Sequence, residues 1–129
     1  QLSGCLGLTG AGVQRLLQKC TKLQDLRIDL VPVLDRHLVN VRCTELTHLC
    51  VAMCSSLTDS GLVALIEKCP RLQCVDVSYC KDLTNATVCA IAKSCPDLKA
   101  FSAVGCTRIS DMGVKALAQG CRALRHLNL

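Results

Sequence analysis

The sequence predicts an α/β solenoid, a stack of strand–turn–helix units with a parallel sheet inside and helices outside. Two series of cysteines carry this prediction. The first occupies positions 43, 69, 95 and 121, at intervals of 26 residues. The second occupies positions 54, 80 and 106, each eleven residues after a member of the first. A fixed double period indicates one supersecondary unit copied along the chain, in which each copy buries its apolar face against its neighbours.

The composition fits thin, regularly stacked layers. Half of the 129 residues are hydrophobic, but Tyr79 and Phe101 are the only aromatic residues. No apolar run approaches the roughly 18 residues that a membrane span needs, so no membrane partner is expected. The formal charge of +5 is modest. Its cations are scattered and lack aromatic stacking platforms, so no nucleic-acid partner is expected either.

The cysteines are predicted to be structural. Nine of the twelve lie on the repeat at positions expected to face inward, where a thiol packs as a small hydrophobe. These nine occupy positions 5, 20, 43, 54, 69, 80, 95, 106 and 121. The chain contains no Cys-x-x-Cys. Reduced thiols of this kind are typical of the cytoplasm or nucleus.

Three repeats are regular, at 43–68, 69–94 and 95–120. Each begins with Cys-x-x-Leu and continues with apolar residues at alternate positions, which predicts a short half-buried strand. A hydroxyl residue then precedes apolar residues at helical spacing, which predicts a helix N-cap. The predicted N-caps are Thr58, Thr84 and Ser110.

The rest of the chain is predicted to be one array with less regular ends, a partial repeat at 1–19 and another at 121–129. The repeat at 20–42 is irregular, because Val31 replaces the second cysteine and Pro32 follows it. A shorter helix is expected there. Neither end carries a polar capping unit, so the sequence is expected to be an excerpt of a longer array.

The unit Cys-x-x-Leu-x-x-Leu-x-Leu-x-x-Cys-x-x-Leu-Thr-Asp-x-Gly-Leu-x-x-Leu resembles the cysteine-containing leucine-rich repeat. Residues 43–65 match it throughout, with Val51 at the third apolar place, and residues 69–91 and 95–117 follow with substitutions. The resemblance implies a right-handed leucine-rich-repeat solenoid, a horseshoe with a concave parallel sheet and convex helices.

This repeat subtype is typical of F-box/leucine-rich-repeat proteins, and it is also similar to repeats of the antagonist-of-mitotic-exit-network family. The first resemblance implies the substrate-recognition array of an SCF-type ubiquitin ligase, which binds a protein substrate or peptide degron on its concave face. A ligase adaptor would be bound only through an F-box, which this sequence does not contain. A free-standing regulatory scaffold of the same repeat class is the alternative.

The predicted partner-binding residues are those between and after the buried strand positions. Met53 and Tyr79 are the expected anchors, because aromatic and adaptable side chains carry most interface energy. The full set is Asp25, Arg27, Asp29, His48, Cys50, Met53, Cys74, Asp76, Ser78, Tyr79, Ser102 and His126.

A thiol or zinc site is a remote alternative. His48 and Cys50 share one predicted strand and Cys74 and Asp76 the next, so four acceptable zinc ligands are expected on one patch. A zinc ion would be redundant in a packed sheet, however, and a Cys74–His48 pair lacks an orienting group and an oxyanion hole. The chain has no phosphate loop, nucleophile elbow or paired catalytic carboxylates. We therefore expect a protein that is not an enzyme, with no metal or other cofactor.

Overall fold

A computed structural model describes residues 7–129. This part of the chain is an α/β structure with a five-stranded parallel sheet. The strands are β1 (Asp25–Arg27), β2 (His48–Cys50), β3 (Cys74–Asp76), β4 (Ala100–Ser102) and β5 (His126–Asn128). The helices are α1 (Gly10–Lys19), α2 (Asp59–Ile66), α3 (Asn85–Ser94) and α4 (Asp111–Gly120), and a 3-10 helix (Asp35–His37) lies between β1 and β2.

The sheet is ordered as the chain runs, β1-β2-β3-β4-β5, and every neighbouring pair is parallel. Its register aligns equivalent residues of successive repeats, so that Leu49 pairs with Val75 and Val75 with Phe101. These middle residues are buried in a single core, together with the apolar faces of the helices. The predicted α/β class with a parallel sheet is therefore confirmed. The partial strand predicted around Cys5 lies outside the described residues.

The helix N-caps follow the prediction at two of three places. Thr58 accepts a hydrogen bond from the Ser60 amide at 3.3 Å, and Thr84 accepts one from the Ala86 amide at 3.1 Å. Ser110 occupies the N-cap of α4 but makes no such bond. Its hydroxyl instead accepts from the Asn85 side-chain amide at 2.9 Å.

The starts of α2, α3 and α4 are also held by a side chain of the preceding layer, where a layer is one strand with the helix that follows it. Sequence reasoning missed this contact. Asp35 accepts from the amide and hydroxyl of Thr58 at 2.9 and 2.6 Å. Asp59 does the same for Thr84, at 3.0 and 2.6 Å. Asn85 accepts from the Ser110 amide at 3.0 Å. The residue that opens one helix therefore satisfies backbone donors at the start of the next, where an α-helix leaves such donors without partners.

Asp59 is the most fully bonded member of this series. Besides Thr84 it accepts from the amide and hydroxyl of Thr87, at 3.2 and 2.6 Å. Thr87 stands where the other repeats have Gly61 and Gly113, so its hydroxyl adds a bond that glycine cannot make. Burial acts to raise the pKa of Asp59, but the hydrogen bonds from Thr84 and Thr87 outweigh it and lower that pKa.

The first cysteine series links successive layers. Each buried thiol donates to a backbone carbonyl 26 residues earlier: Cys43 to Leu17 at 2.9 Å, Cys69 to Cys43 at 3.3 Å, Cys95 to Cys69 at 3.7 Å, and Cys121 to Cys95 at 3.5 Å. A thiol fits here because it is small and apolar yet carries a weak donor. Burial raises the pKa of Cys69 and of Cys95 to about 12.

The thiols of the second cysteine series also donate to backbone carbonyls of the preceding layer. Cys54 donates to the Ile28 and Val31 carbonyls at 3.4 and 3.3 Å. Cys80 donates to Val51 and Cys106 to Val77, both at 3.2 Å. Burial raises the pKa of Cys80 to about 11, so this thiol is a neutral structural donor at physiological pH.

The prediction that Cys20 faces inward is wrong, because its side chain is exposed. Cys20 lies at the C-cap of α1, in the first layer that the structure describes. Cys43, the equivalent residue of the next layer, is buried and donates to the Leu17 carbonyl of the layer before it. No layer among the described residues covers Cys20 in the same way.

The irregular repeat has a short helix, as predicted. The 3-10 helix replaces the α-helix of the regular repeats and includes the buried His37, whose Nδ1 accepts from the Leu34 amide at 3.1 Å. Asp35 nevertheless occupies the place of Asp59, so the contact to the next layer is kept despite the missing residues.

Replacing the buried Cys69 with alanine is expected to lower the free energy of unfolding by about 1–2 kcal/mol, from lost apolar contact and the remaining cavity. Cys20→Ala, at an equivalent place in the repeat but exposed, is the matched control and is expected to change it by less than about 0.5 kcal/mol. Urea unfolding of both variants measures the difference, and equal losses would contradict the assigned burial.

Asp59→Asn is expected to lower the free energy of unfolding by about 1–2 kcal/mol at pH 7, because an amide nitrogen cannot accept the second Thr84 bond. The pKa of Asp59 in the folded protein lies below its ordinary value of 3.8. The ionised carboxylate therefore stabilises the fold fully above pH 3.8, and this stabilisation is lost as the pH falls through the pKa of the folded protein. The difference in free energy of unfolding between the wild type and Asp59→Asn should therefore disappear at acid pH.

Urea titrations at pH 7 and at about pH 2.5 measure this gap. Asp111→Asn is the control, because Asp111 occupies the same place in α4 but is exposed and accepts no hydrogen bond within residues 7–129. A gap that stays constant with pH would show that the Asp59 charge contributes nothing.

Candidate protein-binding face

The side of the sheet opposite the helices, here called the open face, presents the outer residues of every strand. Because side chains alternate along a strand, these residues point to the side opposite the middle residue, which is buried in β1 to β4. They are half-buried in β2, β3 and β4 and exposed in β1 and β5. The open face consists of Asp25, Arg27, His48, Cys50, Cys74, Asp76, Ala100, Ser102, His126 and Asn128.

A shallow groove of about 610 Å³ crosses the open face from β1 to β5. Seven of the predicted partner-binding residues line it, and Arg125, directly before β5, lines it as well. The seven are Arg27, His48, Cys50, Cys74, Asp76, Ser102 and His126. A groove that crosses all five strands and is open to solvent fits an extended ligand better than an enclosed small molecule.

The Cys50 thiol in the groove is not activated. Burial is the main influence that raises the pKa of Cys50, and the carboxylates of Asp76 and Asp29 raise it further. The Cys50 thiol lies 3.9 Å from the Asp29 Oδ1 atom. Since the thiolate is the nucleophile, a raised pKa favours the unreactive thiol at neutral pH.

The four residues of the zinc alternative lie on adjacent strands, as expected, with His48 paired to Cys74 and Cys50 to Asp76. Their polar atoms have other neighbours, however. The His48 Nδ1 lies 2.9 Å from the Thr47 hydroxyl, and the Asp76 Oδ1 accepts from the Ser78 amide at 2.9 Å. Within residues 7–129 no three His, Cys, Asp or Glu side chains form a group that could hold a metal ion.

Ser78 is buried beside the open face and stabilises it through hydrogen bonds. It is only 6 % exposed, and its hydroxyl lies 2.9 Å from that of Ser102. The same oxygen accepts from the Val104 amide at 3.3 Å, while the Ser78 amide donates to Asp76. The predicted binding residue Ser78 therefore fixes the turn after β3 and offers a partner little surface.

Four turns after the strands share a left-handed backbone residue. Leu30, Met53, Tyr79 and Gly105 occupy equivalent places, with φ of 65°, 61°, 61° and 71°. The first three donate their amides to the next layer at 3.1, 2.8 and 2.7 Å, to Ala52, Ser78 and Val104. Stacking therefore imposes this conformation, which strains any residue with a Cβ atom by about 1–2 kcal/mol.

The side chains at the first three of these places are large, apolar and exposed. Leu30 is 57 % exposed, Met53 48 % and Tyr79 46 %. We call these three residues the apolar column. Sequence reasoning identified Met53 and Tyr79 as anchors but missed Leu30 and the shared strain. Gly105 at the equivalent place was the one available signal, because glycine is the residue that fits a left-handed turn without strain.

Gly105 is also required by the ring of Tyr79. A Cβ atom at position 105 would lie 2.8 Å from the Tyr79 Cδ1 atom. The ring therefore rests against the glycine backbone of the next layer and is held in place from that side.

Comparison with known proteins gives no assignment for this chain. A search of protein-family models finds no match to the sequence, and a search of curated proteins finds none either. Within the described part of the chain, none of the helices has the length and apolar character needed to cross a membrane.

Gly105→Ala is expected to lower the free energy of unfolding by about 1–3 kcal/mol, because the new Cβ meets both the left-handed φ and the Tyr79 ring. In a Tyr79→Ala background the ring contact is gone, so a smaller loss is expected. Urea unfolding of the two single variants and the double variant measures the coupling. Fully additive losses would contradict the contact between ring and glycine.

Proposed function

We propose that the chain is part of a leucine-rich-repeat solenoid that binds another protein on its open face. The observation that carries this proposal is the groove across five adjacent parallel strands, which exposes charged, polar and apolar side chains together. The constant 26-residue step of β2 to β5 and the layer-by-layer hydrogen bonds support the solenoid assignment.

We further propose that this solenoid is the substrate-recognition array of an F-box type ubiquitin ligase receptor and that it acts in the cytoplasm or nucleus. The support is the repeat subtype, Cys-x-x-Leu with a second cysteine and a Thr-Asp helix start, which is typical of that family. In this role the open face binds a protein substrate or a peptide degron. The ligase adaptor would be bound by an F-box elsewhere in the complete protein.

A binding role is favoured over catalysis by the character of the groove. It is open to solvent along its length, and enzymes gain much of their rate enhancement where water is excluded. The thiol of Cys50 is kept protonated, and the imidazole of His48 lies beside a threonine hydroxyl. The arrangement provides polar contacts for a partner.

The test uses the complete protein, tagged and purified from cells, with two alanine-to-arginine variants. Ala100 lines the groove, whereas Ala86 is exposed on the first turn of α3. The ligase proposal predicts that a cullin co-purifies with the wild type and both variants. Binding on the open face predicts that substrate proteins are lost from Ala100→Arg and retained by Ala86→Arg.

The two parts of the proposal fail separately. If no cullin co-purifies but Ala100→Arg still loses partners that Ala86→Arg keeps, the protein is a free-standing scaffold of the same repeat class. If both variants keep the same partners, the open face is not the binding site.

A further inference from the structure

We infer that the apolar column anchors an extended peptide segment of the partner, with basic residues of that segment over β1–β3 and acidic residues over β5. This inference rests on the proposed function and names the chemistry of its partner. It joins two features of the molecule, a strained apolar edge and an open face whose charge, counted with the turn after β1, changes sign from β1 to β5.

Strain and exposure coincide at the apolar column. The fold needs a left-handed residue after each strand, and Gly105 shows that glycine fills that place. At Leu30, Met53 and Tyr79 the chain instead carries bulky apolar side chains that are about half exposed. Both properties are unfavourable in the isolated chain. Strained residues and exposed apolar clusters are each typical of sites that bind a ligand.

Tyr79 is held ready for a partner. The turn that carries it is fixed by the hydrogen bonds of Ser78 to Asp76, Ser102 and Val104. Its ring rests against Gly105. A side chain that is already ordered loses little conformational entropy on binding, which favours an aromatic residue in this position as an anchor.

The apolar column borders the groove closely enough for one peptide to use both. Each of its residues follows the last residue of a strand by three positions, at the carboxyl ends of β1, β2 and β3. That separation is at most about 10 Å along an extended chain. A peptide in the groove can therefore place an apolar side chain on the apolar column.

The charge of the face changes from one end to the other. The part formed by β1–β3 and the turn after β1 carries three carboxylates, Asp25, Asp29 and Asp76, with one guanidinium and the imidazole of His48. That guanidinium, Arg27, donates to Asp25 at 3.1 Å. At β5 the groove is lined by Arg125 and His126, and none of the described groove residues there is acidic. Complementary charges would therefore orient a peptide along the groove.

The experiment selects binders from a random twelve-residue peptide library displayed on phage, with the purified complete protein as target. The selected peptides are then synthesised and their Kd values measured by fluorescence polarisation. We expect a large aliphatic or aromatic residue in each, flanked by Lys or Arg on one side and by Asp or Glu on the other.

Glycine substitutions test the anchor without weakening the fold. Met53→Gly and Tyr79→Gly remove the side chain and relieve the left-handed strain, so both variants should stay folded. Each is expected to weaken the selected peptides at least tenfold. The matched control is Asn40→Gly, since Asn40 also has a positive φ of 58° and is exposed in a different turn. It is expected to leave the Kd unchanged.

A charge swap tests the orientation. Arg125→Glu is expected to weaken the peptides at least fivefold, and peptides with the acidic end replaced by lysines should recover that loss. Arg122→Glu, exposed in the same turn but outside the groove, is the control.

The outcomes separate this inference from the proposed function. If the selected peptides are lost in Ala100→Arg but are unaffected by the glycine substitutions, the face binds and the apolar column is not its anchor. Peptides without a charge pattern overturn the orientation. Concentration-dependent dimerisation that Tyr79→Gly abolishes would assign the apolar column to a second copy of the chain and overturn the inference. A selection with no binder overturns this inference alone, because the proposed function is judged separately by the partners that co-purify with Ala100→Arg and Ala86→Arg.

Discussion

Each layer of this structure contains polar groups whose partners belong to the layer before it. The buried thiols of Cys69 and Cys95 donate to the preceding layer's carbonyls, and the helix start at Thr84 is bonded by Asp59. A buried donor without an acceptor costs about 1–3 kcal/mol, so a layer released from its neighbour loses hydrogen bonds as well as apolar contact. This dependence fixes both the order of the strands and their register.

The same dependence determines the surface that is left for binding. The layers stack through their helices, thiols and turns, so the side chains of the outer strand residues contribute little to cohesion, apart from Asp76 and Ser102, which bond Ser78. The other outer side chains are free to vary, as the sequence of open-face residues from Asp25 to His126 shows. The left-handed turns are a by-product of stacking, since their amides must reach the next layer. The apolar column arises where those obligatory turns carry large side chains.

The sequence predicted what depends on period and spacing. The buried cysteines, the strand positions of Leu49 and Val75, and the caps at Thr58 and Thr84 all follow from the repeat itself. It could not predict features that depend on contact between layers. The irregular spacing of residues 20–42 does not show that Asp35 bonds the next helix start, and the strand pattern does not show that Ser78 is buried at the turn to the next layer. Exposure of Cys20 likewise depends on what lies against its layer.

Amide hydrogen exchange at pH 7 tests the dependence between layers most directly. Amides in the first turn of a helix ordinarily exchange fast, because they lack partners within the helix. The Thr84 and Thr87 amides, which donate to Asp59, are predicted to be protected to the same degree as the amide of Cys74 in β3 and that of Val77 directly after it. If they exchange at the rate of an unprotected chain while the strands stay protected, the layers are not joined in this way.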